Sequence, residues 1–422
     1  MITISISLLL ILLSSIGYFL SRQFQIKFIL LINLLWSAFL IVNRLKLSGL
    51  QIDWTFNEQV LISFLIFLPS LLVILLLKIS LVNNNSIKSH IDSNFMEPNS
   101  NEIKKSIFVL LMLSVSIFII DFFIYGVPIF QLNAGTDALN NNRLAYRIPI
   151  LFSWAYYAFL TCLIASCILF FKGILNLKIF ILFLFMALLL TTLHFARGFF
   201  VTFFCVPLIS YFLYSPSTPI IKILRTFLPL LLIFFLFSIL GDLRQNLDES
   251  FNINDYGKFV IEIPSHLAWI YGYLFINFDN LILCIRDFEI RDAIGYKTIQ
   301  NISPALIGTI TGQEYDGESL FGIQTLPYIG RFNLPTSLGT FGYDFGWFGV
   351  YLYSLSSIML VPIIFSKPIK ELSITLKILL VYFSLAFVFI TTTNYFFTSR
   401  FILFIFALIM FKSLLIIFTK KK

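Results

Sequence analysis

Charge is scarce in this sequence. Only 12% of its 422 residues are Asp, Glu, Lys or Arg, against 59% hydrophobic, and the mean hydropathy is +0.94. A soluble globular domain carries about 25% charged residues, so that class is excluded. Histidine occurs three times and cysteine four times. Cys162, Cys167 and Cys205 lie inside apolar blocks and Cys284 stands alone, which leaves neither a disulfide framework nor a metal-ligand spacing. The alternation of apolar and polar residues that marks a transmembrane β-barrel is also missing.

What is present is a succession of apolar blocks, each long enough to cross a bilayer core as a helix, which takes roughly 20 residues. The fold class is therefore all-α, a polytopic integral membrane protein. Eleven spans are expected, at about 2–20, 26–42, 60–78, 106–125, 150–171, 178–195, 199–214, 226–240, 341–365, 374–393 and 401–419. The first block lacks a basic flank and a small-residue cleavage site, so it reads as a retained span. Three regions result: residues 1–240 hold eight spans with short loops, 241–340 form one large loop with an amphipathic helix, and 341–422 hold the last three spans and a basic tail.

Lys and Arg in short loops mark the cytoplasmic side. With the C-terminal Lys420-Lys421-Lys422 inside, the N-terminus and the large loop fall outside. The apolar stretch from Leu267 to Ile285 would invert that pattern if it crossed. It is read instead as a helix, Ser265 to Ile285, lying against the membrane or the bundle, with Ser265 as its cap. At helical spacing His266, Ile270, Tyr273, Asn277 and Asn280 share one face.

The outer side holds Arg44, Arg143, Arg147, Arg197, Arg244, Arg286, Arg291, Arg331 and Arg400, with lysine only at Lys46, Lys258 and Lys297. The inner side holds Arg22 and Arg225 among fifteen lysines. A codon bias toward lysine would act on both faces alike. The excess of arginine on one face points to anion binding, because the guanidinium is a planar, always-charged fork that grips phosphate through two hydrogen bonds. A single arginine near a span end is as well explained by snorkelling to the interface.

Three motifs stand out: His194-Phe195-Ala196-Arg197-Gly198 at a tight outer turn, Gly241-Asp242-Leu243-Arg244 opening the large loop, and the glycine-rich return to the membrane from Gly339 to Gly349. The third also suits plain helix packing. The Arg-Gly turn, the segment from Gly126-Val127-Pro128-Ile129-Phe130 to Arg143, the large late loop and Phe341-Gly342-Tyr343-Asp344-Phe345-Gly346-Trp347-Phe348-Gly349 together resemble the bacterial O-antigen (Wzy-type) repeat-unit polymerases. That resemblance implies a metal-independent glycosyltransferase, similar in fold to the GT-C class and needing no cofactor. It would work at the periplasmic face of the inner membrane, moving a growing glycan from undecaprenyl diphosphate onto a fresh lipid-linked repeat unit. Implied partners are that lipid-linked oligosaccharide, the bilayer and a protein that sets chain length; no nucleic acid is expected.

On this reading Arg197 and Arg244 stabilise the diphosphate leaving group, and Arg143, Arg147 and Arg400 stand behind them. His266 is the first candidate for the acceptor's general base, with Asp242, Glu318 and Asp344 as alternatives. His194, Asp242 and Asp344 are candidate substrate contacts, and Tyr273 and Trp269, with Tyr271, are candidates to stack on sugar rings or to anchor the interface. Glu314-Tyr315-Asp316-Gly317-Glu318 reads as a solvated acidic turn or as a cation site. A ligase that delivers the finished glycan shares the same features, and a carrier that flips the lipid-linked repeat is the alternative of another class.

Overall fold

The computed structural model describes residues 2–20, 24–63, 99–128, 130, 150–194, 197–215, 221, 235–236, 239, 253–286, 372–389 and 399–419. Among them every regular element is helical, and the one β feature is an isolated antiparallel bridge between Ser48 and Phe259. The elements are α1 (Ile2–Leu20), α2 (Phe24–Arg44), α3 (Ser100–Tyr125), α4 (Leu151–Phe171), α5 (Leu177–His194), α6 (Arg197–Tyr214), α7 (Ile253–Gly257), α8 (Ser265–Tyr271), a π-helical turn (Gly272–Ile276), α9 (Asn277–Arg286), α10 (Ile374–Val388) and α11 (Ser399–Thr419). The expected spans at 60–78, 226–240 and 341–365 lie wholly or largely outside the described residues, although residues 56–63 are helical.

Among the described residues, five helices are long and apolar enough to cross a membrane: α3, α4, α5, α11 and the Leu267–Cys284 stretch of the rod made by α8, the π turn and α9. The protein is thus an all-helical, membrane-embedded chain. A helix is the natural state of such segments, because the bilayer core offers no water to backbone N–H and C=O groups.

α4 is the central post, with every residue from Ala155 to Leu169 buried. Ala155, Ala158 and Ala165 let its neighbours approach closely, and Ser114 of α3 donates to the Ala155 carbonyl at 2.7 Å. By contrast α5 buries only the stripe Phe180, Phe183, Ala187, Leu190, Thr191 and His194, at 3.6-residue spacing. Its opposite face exposes Ile181, Leu182, Phe185, Leu188 and Leu189, an apolar surface that suits lipid.

Turn chemistry fixes the α4–α5 reversal. Gly173 takes the left-handed conformation (φ +73°), and its N–H bonds Phe170 O at 2.9 Å while the Ile174 N–H bonds Leu169 O at 2.9 Å. This closes α4 with the paired bonds of a Schellman motif. Asn176 then opens α5 by accepting the Ile179 N–H at 2.9 Å.

Helix ends fall into register. The end of α3 (Phe118, Phe122), the start of α4 (Phe152), the end of α5 (His194) and the start of α6 (Phe199) meet at one end of the bundle. At the other end Tyr214 of α6 donates to the Lys377 carbonyl at the start of α10. The pairs Tyr382–Phe404 and Phe383–Phe401 run α10 and α11 antiparallel, so Arg400 lies toward the end where α6 begins.

Candidate functional site

The polar side chains of the described structure concentrate where α2 ends. Residues 45–55 leave α2 without regular structure and form a strap, which closes into the helix at 56–63. Thr55 and Glu58 make that start: the Thr55 N–H donates to Glu58 Oε2 at 2.7 Å, and the Glu58 N–H donates to Thr55 Oγ1 at 3.4 Å. This reciprocal pair is a capping box. The N-terminus of α1 joins the same end, since Thr3 Oγ1 donates to Gln59 Oε1 at 2.9 Å.

Onto this strap docks the chain from 253 to 286. Gly49 N–H donates to Lys258 O at 2.7 Å, Val260 N–H donates to Leu47 O at 2.9 Å, and Ser48 Oγ donates to the Gly257 carbonyl. Gly257 has no room for a side chain, because a Cβ there would lie 2.3 Å from Cε2 of Phe259. The rod comes next. Tyr271 donates to Gln51 Oε1 at 2.7 Å near one end, and Arg286 donates to the Asp53 carbonyl at 2.8 Å at the other. Those two rod residues are about 22 Å apart along a helix of this length, yet both bond a segment three residues long, Gln51 to Asp53. The strap therefore runs alongside the rod.

Between them Asp279 is the hub, with no solvent exposure. Its Oδ1 accepts from Trp54 Nε1 at 2.7 Å, and its Oδ2 accepts from Asn43 Nδ2 at 2.8 Å and Gln51 Nε2 at 3.4 Å. Asn43, also fully buried, donates from the same nitrogen to the Phe275 carbonyl at 2.7 Å. Phe275 lies in the π turn, whose wider spacing leaves carbonyls without i+4 donors. Over the face of Trp54, Arg44 rests its guanidinium 4.3 Å from the ring centroid. A cation over an indole face is attracted by the ring quadrupole.

The rim is ionic. Arg286 grips Glu58 with two nitrogens, at 2.8 and 3.1 Å, and Lys46 pairs with Asp53. The hydrogen bonds from Arg286 hold the Glu58 carboxyl below its usual range, and those to Glu58 raise the Arg286 guanidinium in turn. Asp53 is likewise lowered, by its bond to Lys46.

The sequence candidates divide. His194 is buried at the bundle end, its ring 4.8 Å from Phe122 and 4.7 Å from Phe152. Arg197 is the first residue of α6, three positions on, and Arg400 lies toward the same end. Trp269 is buried, 1% exposed, in a small core with Ala268, Tyr271 and Ile276. His266 and Tyr273 lie on the rod, in α8 and the π turn, their side chains outside the described set. Arg143, Arg147, Asp242, Arg244 and Asp344 fall outside the described residues, as does Glu314 to Glu318.

Two local expectations are corrected. Pro264, in extended conformation, is the cap of α8 and Ser265 is its first helical residue; the Pro264 carbonyl accepts from Leu267 and Ala268 at 2.8 and 3.1 Å. The π turn adds a residue to one helical turn and so rotates α9 by about 100° relative to α8. The face expected to carry His266, Ile270, Tyr273, Asn277 and Asn280 together is broken at that point.

Sequence reasoning passed over Asp279, Asn43, Gln51 and Trp54. Two signals point to them: the Thr55-x-x-Glu58 spacing and an acidic residue within an apolar helix, which is functional or paired by default. No protein-family model matches the chain, and no curated protein or solved structure shows significant similarity to it.

Proposed function

We propose that this protein is a polysaccharide polymerase of the O-antigen polymerase type. It has about eleven spans in a GT-C-like arrangement, lies in the bacterial inner membrane and carries its site on the periplasmic face. The observation that carries the reading is the bias of arginine to one expected face of a chain whose basic residues are otherwise mostly lysine. Its support is the register of helix ends, which puts the start of Arg197's helix and Arg400 at the same end as His194.

The chemistry is a displacement at the anomeric carbon of a glycosyl diphosphate. The acceptor hydroxyl oxygen forms the new C–O bond, the bond to the diphosphate breaks, and its electron pair leaves with undecaprenyl diphosphate. Arg197 and Arg244 stabilise that growing charge, Arg143, Arg147 and Arg400 extend the anionic subsite, and His266 takes the acceptor proton. Asp242 and Asp344 orient sugar hydroxyls. Fixed donors at such a position each contribute about 10²–10³-fold to turnover.

The test is chain length in cells lacking the native gene and complemented with Arg197→Ala, Arg244→Ala or their lysine variants. Long chains should vanish in both alanine variants and return little with lysine, at unchanged protein level. Normal ladders in both alanine variants would remove the clamp. Complete loss of glycan from lipid A, in place of single repeat units, would mark a ligase.

A further inference from the structure

We propose that Arg44 is an oxyanion-binding residue, its guanidinium clamped on Trp54 with one edge turned to a phosphate-type group. The half-buried Arg44 has a buried Nη1 that meets no hydrogen-bond partner among the described residues. A buried N–H left unanswered on a half-exposed cation is costly, and such groups persist where a ligand completes them. Two carboxylates stand near enough to act on its charge, Asp279 and Asp53. Neither bonds it. Asp279 already has both oxygens engaged, by Trp54, Asn43 and Gln51, and Asp53 is tied to Lys46.

The same bonds hold the guanidinium in place. Asp279 fixes the Trp54 indole through its N–H at 2.7 Å, and the Trp54 face fixes the plane of Arg44 at 4.3 Å. A fork held in advance loses little freedom when it takes a planar pair of phosphate oxygens. This arginine is built from α2, the strap and the rod, whereas His194 and Arg197 belong to α5 and α6. Polymerisation joins two lipid-diphosphate substrates. Resting on the polymerase reading, the Arg44 site holds the phosphate of the second. Trp54 and Asp279 act as positioning residues.

The experiment uses the full-length protein in phosphatidylcholine nanodiscs, titrated calorimetrically with geranyl diphosphate, inorganic pyrophosphate and geraniol. Geranyl diphosphate should bind and geraniol should not. Arg44→Lys and Arg44→Gln should each weaken the diphosphate by about tenfold or more, at an unchanged melting temperature. Pyrophosphate binding as tightly as geranyl diphosphate would make the phosphate itself the ligand, and weaker binding would make it a lipid headgroup; either supports the site. Trp54→Phe, which keeps a ring face, should retain more affinity than Trp54→Leu, and this pair stands if the Arg44 variants fold poorly. Wild-type affinity in both Arg44 variants, or no diphosphate binding by the wild type, overturns the inference. A parallel assay with lipid-linked repeat units separates the two ideas. A product ladder with Arg44-independent binding removes only this site, and Arg44-dependent binding with no ladder removes only the polymerase reading.

Discussion

Trp54 donates its indole N–H to Asp279 at 2.7 Å across a strap and a helix that are 225 residues apart in the chain. That bond joins the far end of the strap, just before the helix at 56–63, to α9 of the rod. A single ring thus serves two charges, because its face carries the Arg44 guanidinium.

Asp279→Ala leaves the donors of Trp54, Asn43 and Gln51 without their acceptor in a closed site. The expected loss is about 3 kcal/mol or more, since breaking a buried polar set strands its partners. Thermal unfolding in detergent reads it directly, and an unchanged melting temperature would show that the hub is not structural.

Trp54→Phe removes one donor and keeps most of the apolar volume. About 1–3 kcal/mol should be lost, the cost of leaving a buried carboxylate oxygen unanswered. The double variant Trp54→Phe with Asp279→Asn should lose less than the sum of the two single variants, because they share one bond. Additive losses would place the two residues in separate networks.

The Arg286–Glu58 pair predicts a pH dependence with a definite sign. Glu58's carboxyl is held below its ordinary value of 4.5. Its contribution is therefore fully present above pH 4.5 and is lost as pH falls through the lowered folded value. The difference in melting temperature between wild type and Glu58→Gln should be constant from pH 7 to pH 5 and shrink below about 4. A difference that grows on acidification would contradict the ion pair.

Turnover by the purified protein should survive EDTA, as arginines supply the positive charge that a divalent ion provides elsewhere. Strict recovery on adding Mg²⁺ or Mn²⁺ would shift the site to Glu314, Asp316 and Glu318.

The helices were legible because apolar length is a strong signal: α3 to α6 begin and end close to the expected spans, apart from the polar first turn of α3. There Glu102 accepts from the Asn99 N–H at 2.9 Å, and the helix begins six residues before the expected span. The hub at Asp279 was not legible in the same way. Its partners come from Asn43, Gln51 and Trp54, far away in sequence, and period counting treats each as an isolated polar residue. The π turn at Gly272–Ile276 leaves no periodic signal at all, and it rotates every later residue of the rod. Arg44 was visible as one outer arginine among nine, but its clamp depends on a tertiary ring contact.

Incubation of the purified, reconstituted protein with an undecaprenyl-diphosphate-linked oligosaccharide is the most direct measurement. A ladder of products, each longer by one repeat and accompanied by free undecaprenyl diphosphate, is the result predicted. Unchanged substrate, merely moved from one leaflet to the other, would contradict glycosyl transfer and make the protein a carrier.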